Sequence, residues 1–221
     1  MQRALLIILS VLLALPVTAS AAGGKNQKRH RDTNADCGLA QLLEQLPNQN
    51  LRDREASDLL YMREEEKLAR DVYVTFFGLW GLPVFNNISG SEQVHTTHVQ
   101  DMIEKYRLTD PVVDDTTGVF VDQYLANLYA ELVAEGSRSP LKALYVGAAI
   151  EELDMLDLQR AIDETDNADI QTLYENLMSG SRNHLRAYVG QIENLGIVYE
   201  AQQLTQDEVD SIVDSPVERG H

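Results

Sequence analysis

Glu92 and His95 stand three residues apart in SEQVHTTHV. On an α-helix that spacing sets a carboxylate and an imidazole on one face, about one turn apart. Continued along the segment, positions 92, 95, 99, 102 and 106 read Glu, His, Val, Met, Tyr. This is the three–four alternation of a helix seam packed in a bundle. The polar pair therefore falls on the face that should be buried. A buried carboxylate and imidazole need partners, and a metal ion serves both. Glu-x-x-His on a bundle helix is a building block of dinuclear iron and manganese sites.

The same seam count finds further polar residues on apolar helix faces. Positions 59, 62, 66, 69, 73, 76 and 80 read Leu, Met, Glu, Ala, Tyr, Phe, Trp, so Glu66 interrupts a greasy stripe. A lone carboxylate there costs several kcal/mol unless paired. The competing reading makes Glu64, Glu65 and Glu66 a solvated charge run pairing with Lys67 and Arg70. Of Glu65 and Glu66, Glu66 is the better inward candidate. Glu151 and Asp154 share an apolar side with Val146, Ile150, Leu153 and Leu156, while Glu152 points to the surface by the same count. Positions 174, 177, 181, 184, 188, 192 and 195 read Tyr, Leu, Ser, His, Tyr, Ile, Leu, which puts His184 in the seam. A lone inward histidine is usually a hydrogen-bonded core residue, but His184 has company. Glu66 precedes Glu92 and His95 as Glu151 precedes Ser181 and His184, which suggests two similar helix hairpins. His98, one turn beyond His95, reads as an outer or surface residue.

Four long helices must position these groups, over about 56–79, 91–106, 140–162 and 170–195. Gly81, Leu82, Pro83 and Asn86-Asn87 read as the loop between the first two. Residues 107–140 form a long connection with an amphipathic helix over 121–135, stopped by Gly136. Asp114 and Asp115 read as a solvated acidic loop rather than a calcium site. Gly147, one turn before Glu151, would allow a close helix approach. Thr205-Gln-Asp-Glu208 is a capping box that opens a short last helix to about Val213. The final residues are expected to fray.

The chain opens with Arg3, an apolar run over 4–17 and Ala19-Ser20-Ala21, the pattern of an export signal with its cleavage site. The run is short for a membrane span, which needs ~20 apolar residues. Residues 1–21 are thus read as a signal peptide, 22–51 as a polar linker with one short amphipathic helix over 38–46, and 52–221 as one globular domain. Periplasmic or extracellular residence follows, with no membrane attachment after cleavage. Cys37 is the single cysteine, which excludes an internal disulfide and a cysteine metal knuckle. Lys and Arg total 18 against 35 Asp and Glu, a net charge of −17 that argues against nucleic-acid binding.

The strings EEEKLARDVY, SEQVHTTHV, VGAAIEELDMLDL and LMSGSRNHLRAYV together resemble a ferritin-like family of bacteria and archaea, a domain of unknown function numbered 2202. The likeness spans about residues 58–200. It implies an all-α fold: a ferritin-like four-helix bundle with a long crossover, carrying an extra helix between bundle helices 2 and 3, plus a short C-terminal helix. The wider superfamily, with ferritins and rubrerythrins, implies a carboxylate-bridged centre of two iron (or manganese) ions that reacts with dioxygen or peroxide. Glu66, Ala69 and Tyr73 are similar in spacing to the first ligand helix of rubrerythrins. Glu92 and His95 match their second, Glu151 the third, and His184 with Tyr188 the fourth.

One departure stands out. The superfamily usually has a bridging glutamate where this chain has Ser181. Asp154 is the nearest substitute, and without it the second metal would be weaker or absent. The expected ligands are Glu66, Glu92 and His95 for one metal and Glu151, Asp154 and His184 for the other, with Glu92 bridging. Implied partners are metal ions and dioxygen or peroxide. Assembly of identical chains stays open, and the electron donor carries no signature in the chain. Two other readings stay open: metal binding or storage without catalysis, and a metal-free helical interaction domain.

Overall fold

The computed structural model describes residues 33–218, which form helices and connecting loops and no strand. The helices are α1 (Thr33–Gln45), α2 (Asp53–Trp80), α3 (Pro83–Lys105), α4 (Gln123–Gly136), α5 (Pro140–Glu164), α6 (Ala168–Glu193) and α7 (Gln206–Val213). The expected export signal, the first part of the linker and the last three residues lie outside the described residues.

Two helix pairs carry the architecture. Helix α2 packs along α3 and α5 along α6, and the pairs meet through α2 on α5 and α3 on α6. The α2–α3 link is shorter than the expected loop. Gly81, at φ 63°, closes α2 by donating its N–H to the Phe77 carbonyl, and Pro83 already begins α3. Proline at a first helical position costs no hydrogen bond, and Asn86 and Asn87 stay helical because asparagine only weakly opposes a helix that packing supports. A link this short forces the two helices antiparallel. Ser139 caps α5 at the Lys142 N–H, and the Thr205–Glu208 box opens α7 as expected.

The charged stretch of α2 is buried rather than solvated, because the crossover lies over it. Glu64 accepts the Val121 and Asp122 N–H groups at 2.5 and 2.9 Å. Lys67 pairs with Asp71 at 2.5 Å and donates to the Thr116 carbonyl, and Asp71 also accepts the Gly118 N–H. Arg63 meets Asp110 at 3.2 Å and Arg70 meets Asp115 at 2.6 Å. Asp115, on an exposed loop as expected, also pins the crossover to α2. Past it, α4 lies on α2 and α5, with Gly136 so close to the Phe76 ring that no side chain would fit.

Both ends of the described residues are tied down. Helix α1 buries Leu39 and Leu43, and Lys105 donates to the carbonyls of Leu43 and Leu46 while pairing with Asp169 at 2.7 Å. A cation at a helix C-terminus satisfies carbonyls that have no helical partner. At the other end, Glu218 is gripped by Arg182 and Arg186, so the expected fraying does not reach it.

Glu152 corrects the surface reading. It is fully buried and accepts the Tyr199 hydroxyl at 2.6 Å and the N–H groups of Gln202, Gln203 and Leu204. The segment between α6 and α7 folds back over α5 and covers a face that is open in a bare helix pair.

Candidate metal centre

Glu66 from α2, Glu92 and His95 from α3, Glu151 from α5 and His184 from α6 converge in one buried layer, none more than 7 % exposed. They form two triads, Glu66–Glu92–His95 and Glu92–Glu151–His184, each offering ligand atoms within 4.8 Å of one another. Glu92 belongs to both. Its Oε2 lies 2.8 Å from His95 Nδ1 and its Oε1 lies 2.8 Å from His184 Nδ1. Glu66 Oε2 stands 3.3 Å from His95 Nδ1, and Glu151 Oε2 stands 3.4 Å from His184 Nδ1. The imidazole rings face each other with centroids 5.4 Å apart.

These short approaches are not hydrogen bonds. Glu66 Oε1, Glu92 Oε1 and both Nδ1 atoms are buried and have no hydrogen-bond partner. Buried polar atoms left unpaired are costly and rare, and here they point into a common space. A carboxylate–imidazole set suits iron, manganese or zinc, so the residues present fit a dinuclear metal.

Their surroundings hold the ligands in place. Ser91 Oγ lies 2.9 Å from His184 Nε2. A hydrogen bond at that nitrogen leaves Nδ1 as the free lone pair, the usual outer arrangement of a metal-binding histidine. Tyr73 donates its hydroxyl to Glu151 Oε1 at 2.5 Å and packs its ring on Tyr188 at 5.4 Å. Two glycines make room. A Cβ at Gly180 would lie 2.5 Å from His95 Nε2, and one at Gly147 would lie 2.7 Å from the Tyr188 ring. The close approach expected at Gly147 is therefore of a tyrosine onto a helix.

Without metal, the layer carries its charge as an ion cluster. Burial opposes the charge on His184, but Glu92 and Glu151 outweigh it and lift the imidazole to about 10. His95 is raised well above its ordinary value against burial, by Glu92 and Glu66. Burial also works against the Glu92 carboxylate, yet the two imidazoles hold it below the usual range. Burial pushes Glu66 up to about 7 and raises Glu151.

The remaining expected residues lie beside the triads. Asp154 is in neither. Its Oδ2 accepts the Ser181 hydroxyl at 2.5 Å, so the residue that replaces the expected glutamate holds the carboxylate nearest to it. Burial, then the charge of Glu66, push Asp154 well up. Glu65 is also buried but stands with Asp157 and Asp154 rather than with the histidines. His98 is buried and outside both triads. Ser91 and Gly180 escaped ligand counting because their partners lie on other helices, whereas Tyr73 stood on the Glu66 seam from the start. Only the small residue at 180, one turn before His184, gave any local hint.

The model of an uncharacterized protein domain, DUF2202, matches residues 55–216. The chain belongs to this family. Every residue of the two triads lies inside the DUF2202 match. The uncharacterized protein MJ0754 of Methanocaldococcus jannaschii is 46 % identical over 182 residues, covering 82 % of this chain and 98 % of the relative. The crystal structure of hypothetical protein MJ0754 from Methanococcus jannaschii superposes with a TM-score of 0.77 at 47 % identity, covering 78 % of this chain and 99 % of that one. No described helix is long and apolar enough to cross a membrane.

Proposed function

We propose that this DUF2202 protein is an exported, ferritin-like four-helix-bundle protein that holds a dinuclear metal centre, with iron or manganese as the metal, and reacts with dioxygen or peroxide. Helices α2, α3, α5 and α6 are the bundle, with α4 on the crossover and α7 at the end. Glu66 and His95 would hold one ion and Glu151 and His184 the other, with Glu92 shared by both triads. The observation that carries this reading is the Glu92 carboxylate, each oxygen 2.8 Å from a different imidazole Nδ1 without hydrogen-bond geometry at either nitrogen. Asp154 stays outside the ligand set, a carboxylate held at the rim by Ser181.

When bound, the metal pair supplies electrons to the oxidant. The chain's own part is to keep the layer dry, fix the imidazoles and store protons. Burial of all five ligands excludes bulk water. Ser91 orients His184, and Tyr73 keeps a hydroxyl proton on the Glu151 oxygen. Burial and the Glu151 charge hold that phenol neutral far above its ordinary range.

The test is metal content of the natively purified protein by elemental analysis. The reading expects two ions per chain, one for each triad, with loss on Glu92→Ala or His95→Ala. Fewer than one ion per chain, unchanged by His95→Ala, overturns it. The net charge of −17 favours a second reading, a metal binder or store without turnover. Spectra recorded under air and peroxide separate the two: a store binds the metal and turns nothing over.

A further inference from the structure

A pocket opens between α2, α4 and α5. It encloses about 470 Å³ of non-atom space, part of it open to solvent, and its walls are almost wholly apolar, with Leu68, Leu125, Leu128 and Ile150 among them. Small-molecule sites are typically concave, mostly apolar, and carry a few polar groups that fix orientation. Here those groups are two carboxyls. Glu65 and Asp154 line the pocket, are only 6 % and 7 % exposed, and each keeps one oxygen (Oε2 and Oδ1) without a hydrogen-bond partner. The other oxygen of Asp154 is occupied by Ser181.

An apolar void alone stays dry and takes apolar guests. Two carboxyl oxygens without partners at its wall change the preferred guest, because a buried polar atom is costly until a hydrogen-bonding group reaches it. Three acidic groups stand near one another here, but Glu65, Asp154 and Asp157 do not bring their oxygens together as a ligand set, unlike the two triads. Burial pushes both carboxyls toward the neutral acid, so a neutral hydroxyl, which donates or accepts, suits them better than a cation.

We infer that this pocket binds a small neutral molecule with an apolar body and one O–H group, a phenol or alcohol, whose hydroxyl hydrogen-bonds with Glu65 or Asp154. Asp154 stands one helical turn from Glu151, so the bound head lies beside the proposed metal layer. Any role of the guest at that centre rests on the function proposed above, whereas the binding does not.

The whole chain, treated with chelator so that no paramagnetic metal broadens its signals, is titrated by NMR with phenol and with fluorobenzene. The two are nearly equal in size and only phenol donates. The expected result is saturable shifts at Leu128 and Ala149, with phenol roughly tenfold tighter, the factor one hydrogen bond supplies. Leu128→Trp and, independently, Ala149→Leu should abolish the shifts. Glu65→Gln with Asp154→Asn should bring the two affinities together. Fluorobenzene binding as tightly as phenol, or no shifts at the lining residues of the wild-type chain, overturns the inference. Metal content of Leu128→Trp, measured in parallel, is expected to match wild type, so failure of the pocket and failure of the metal centre read out separately.

Discussion

Ser91 on α3 and His184 on α6 meet at 2.9 Å between Oγ and Nε2, linking the two helix pairs through the imidazole that faces Glu92. The contact decides which ring nitrogen is left for a metal. Ser91→Ala removes it without changing any ligand, and outer partners of this kind typically contribute 10–100-fold in metal affinity. We expect a loss of about tenfold, read by chelator competition, with an unchanged helical spectrum. Unchanged affinity would mean that packing alone orients His184.

Gly180 should be intolerant of a methyl group. Its Cβ would meet the His95 ring, and the ring has Glu66 and Glu92 on its other side. Gly180→Ala is expected to reduce metal content and to cost about 1–3 kcal/mol from overpacking. Gly190 on the same helix is the control, since nothing lies within 4 Å of its added Cβ. There the alanine should stabilise by about 0.4–1 kcal/mol. Calorimetry with elemental analysis distinguishes the two variants.

Acid and base should act oppositely on the metal-free and loaded proteins. The folded His184 value of about 10 lies above the ordinary 6.5, so its stabilisation is full below pH 6.5 and is lost as pH rises through about 10. Glu66, raised from 4.5 to about 7, likewise makes the folded state bind more protons over that interval, so stability again falls as pH rises. The metal-free melting temperature should therefore decline from about pH 5 to about pH 10. Metal must displace those same protons, so the gain in melting temperature on adding Mn²⁺ should grow between about pH 6 and pH 8. A gain that shrinks over that range would contradict imidazole ligation.

Glu152 should anchor the C-terminal segment without touching metal. Glu152→Ala leaves the Tyr199 hydroxyl and three backbone N–H groups without their acceptor, and each buried donor so orphaned costs about 1–3 kcal/mol. Hydrogen exchange should quicken over residues 199–213 while metal content per folded chain stays at the wild-type level. Metal loss with unaltered exchange would place Glu152 in the centre instead.

Taken alone, the amino-acid order determined the four long helices, apart from the opening turns of α3, and the inward faces of Glu66, Glu92, His95, Glu151 and His184. Helical periodicity is a local property, and a polar residue breaking an apolar stripe shows in one dimension. The same local rule failed at Glu152 and at Glu64 and Lys67, because it assigns a face to water unless a distant segment covers it. The segment at 199–204 covers the first, and the crossover at 110–122 covers the second. Glu92 stands between both histidines, the shared position that the family resemblance implied; tertiary structure alone decided that Ser181 holds Asp154 apart from them and that Ser91 and Gly180 shape the imidazoles. Each of these is a pairing across helices far apart in the chain, set by how the two hairpins dock, and no spacing within one helix encodes that.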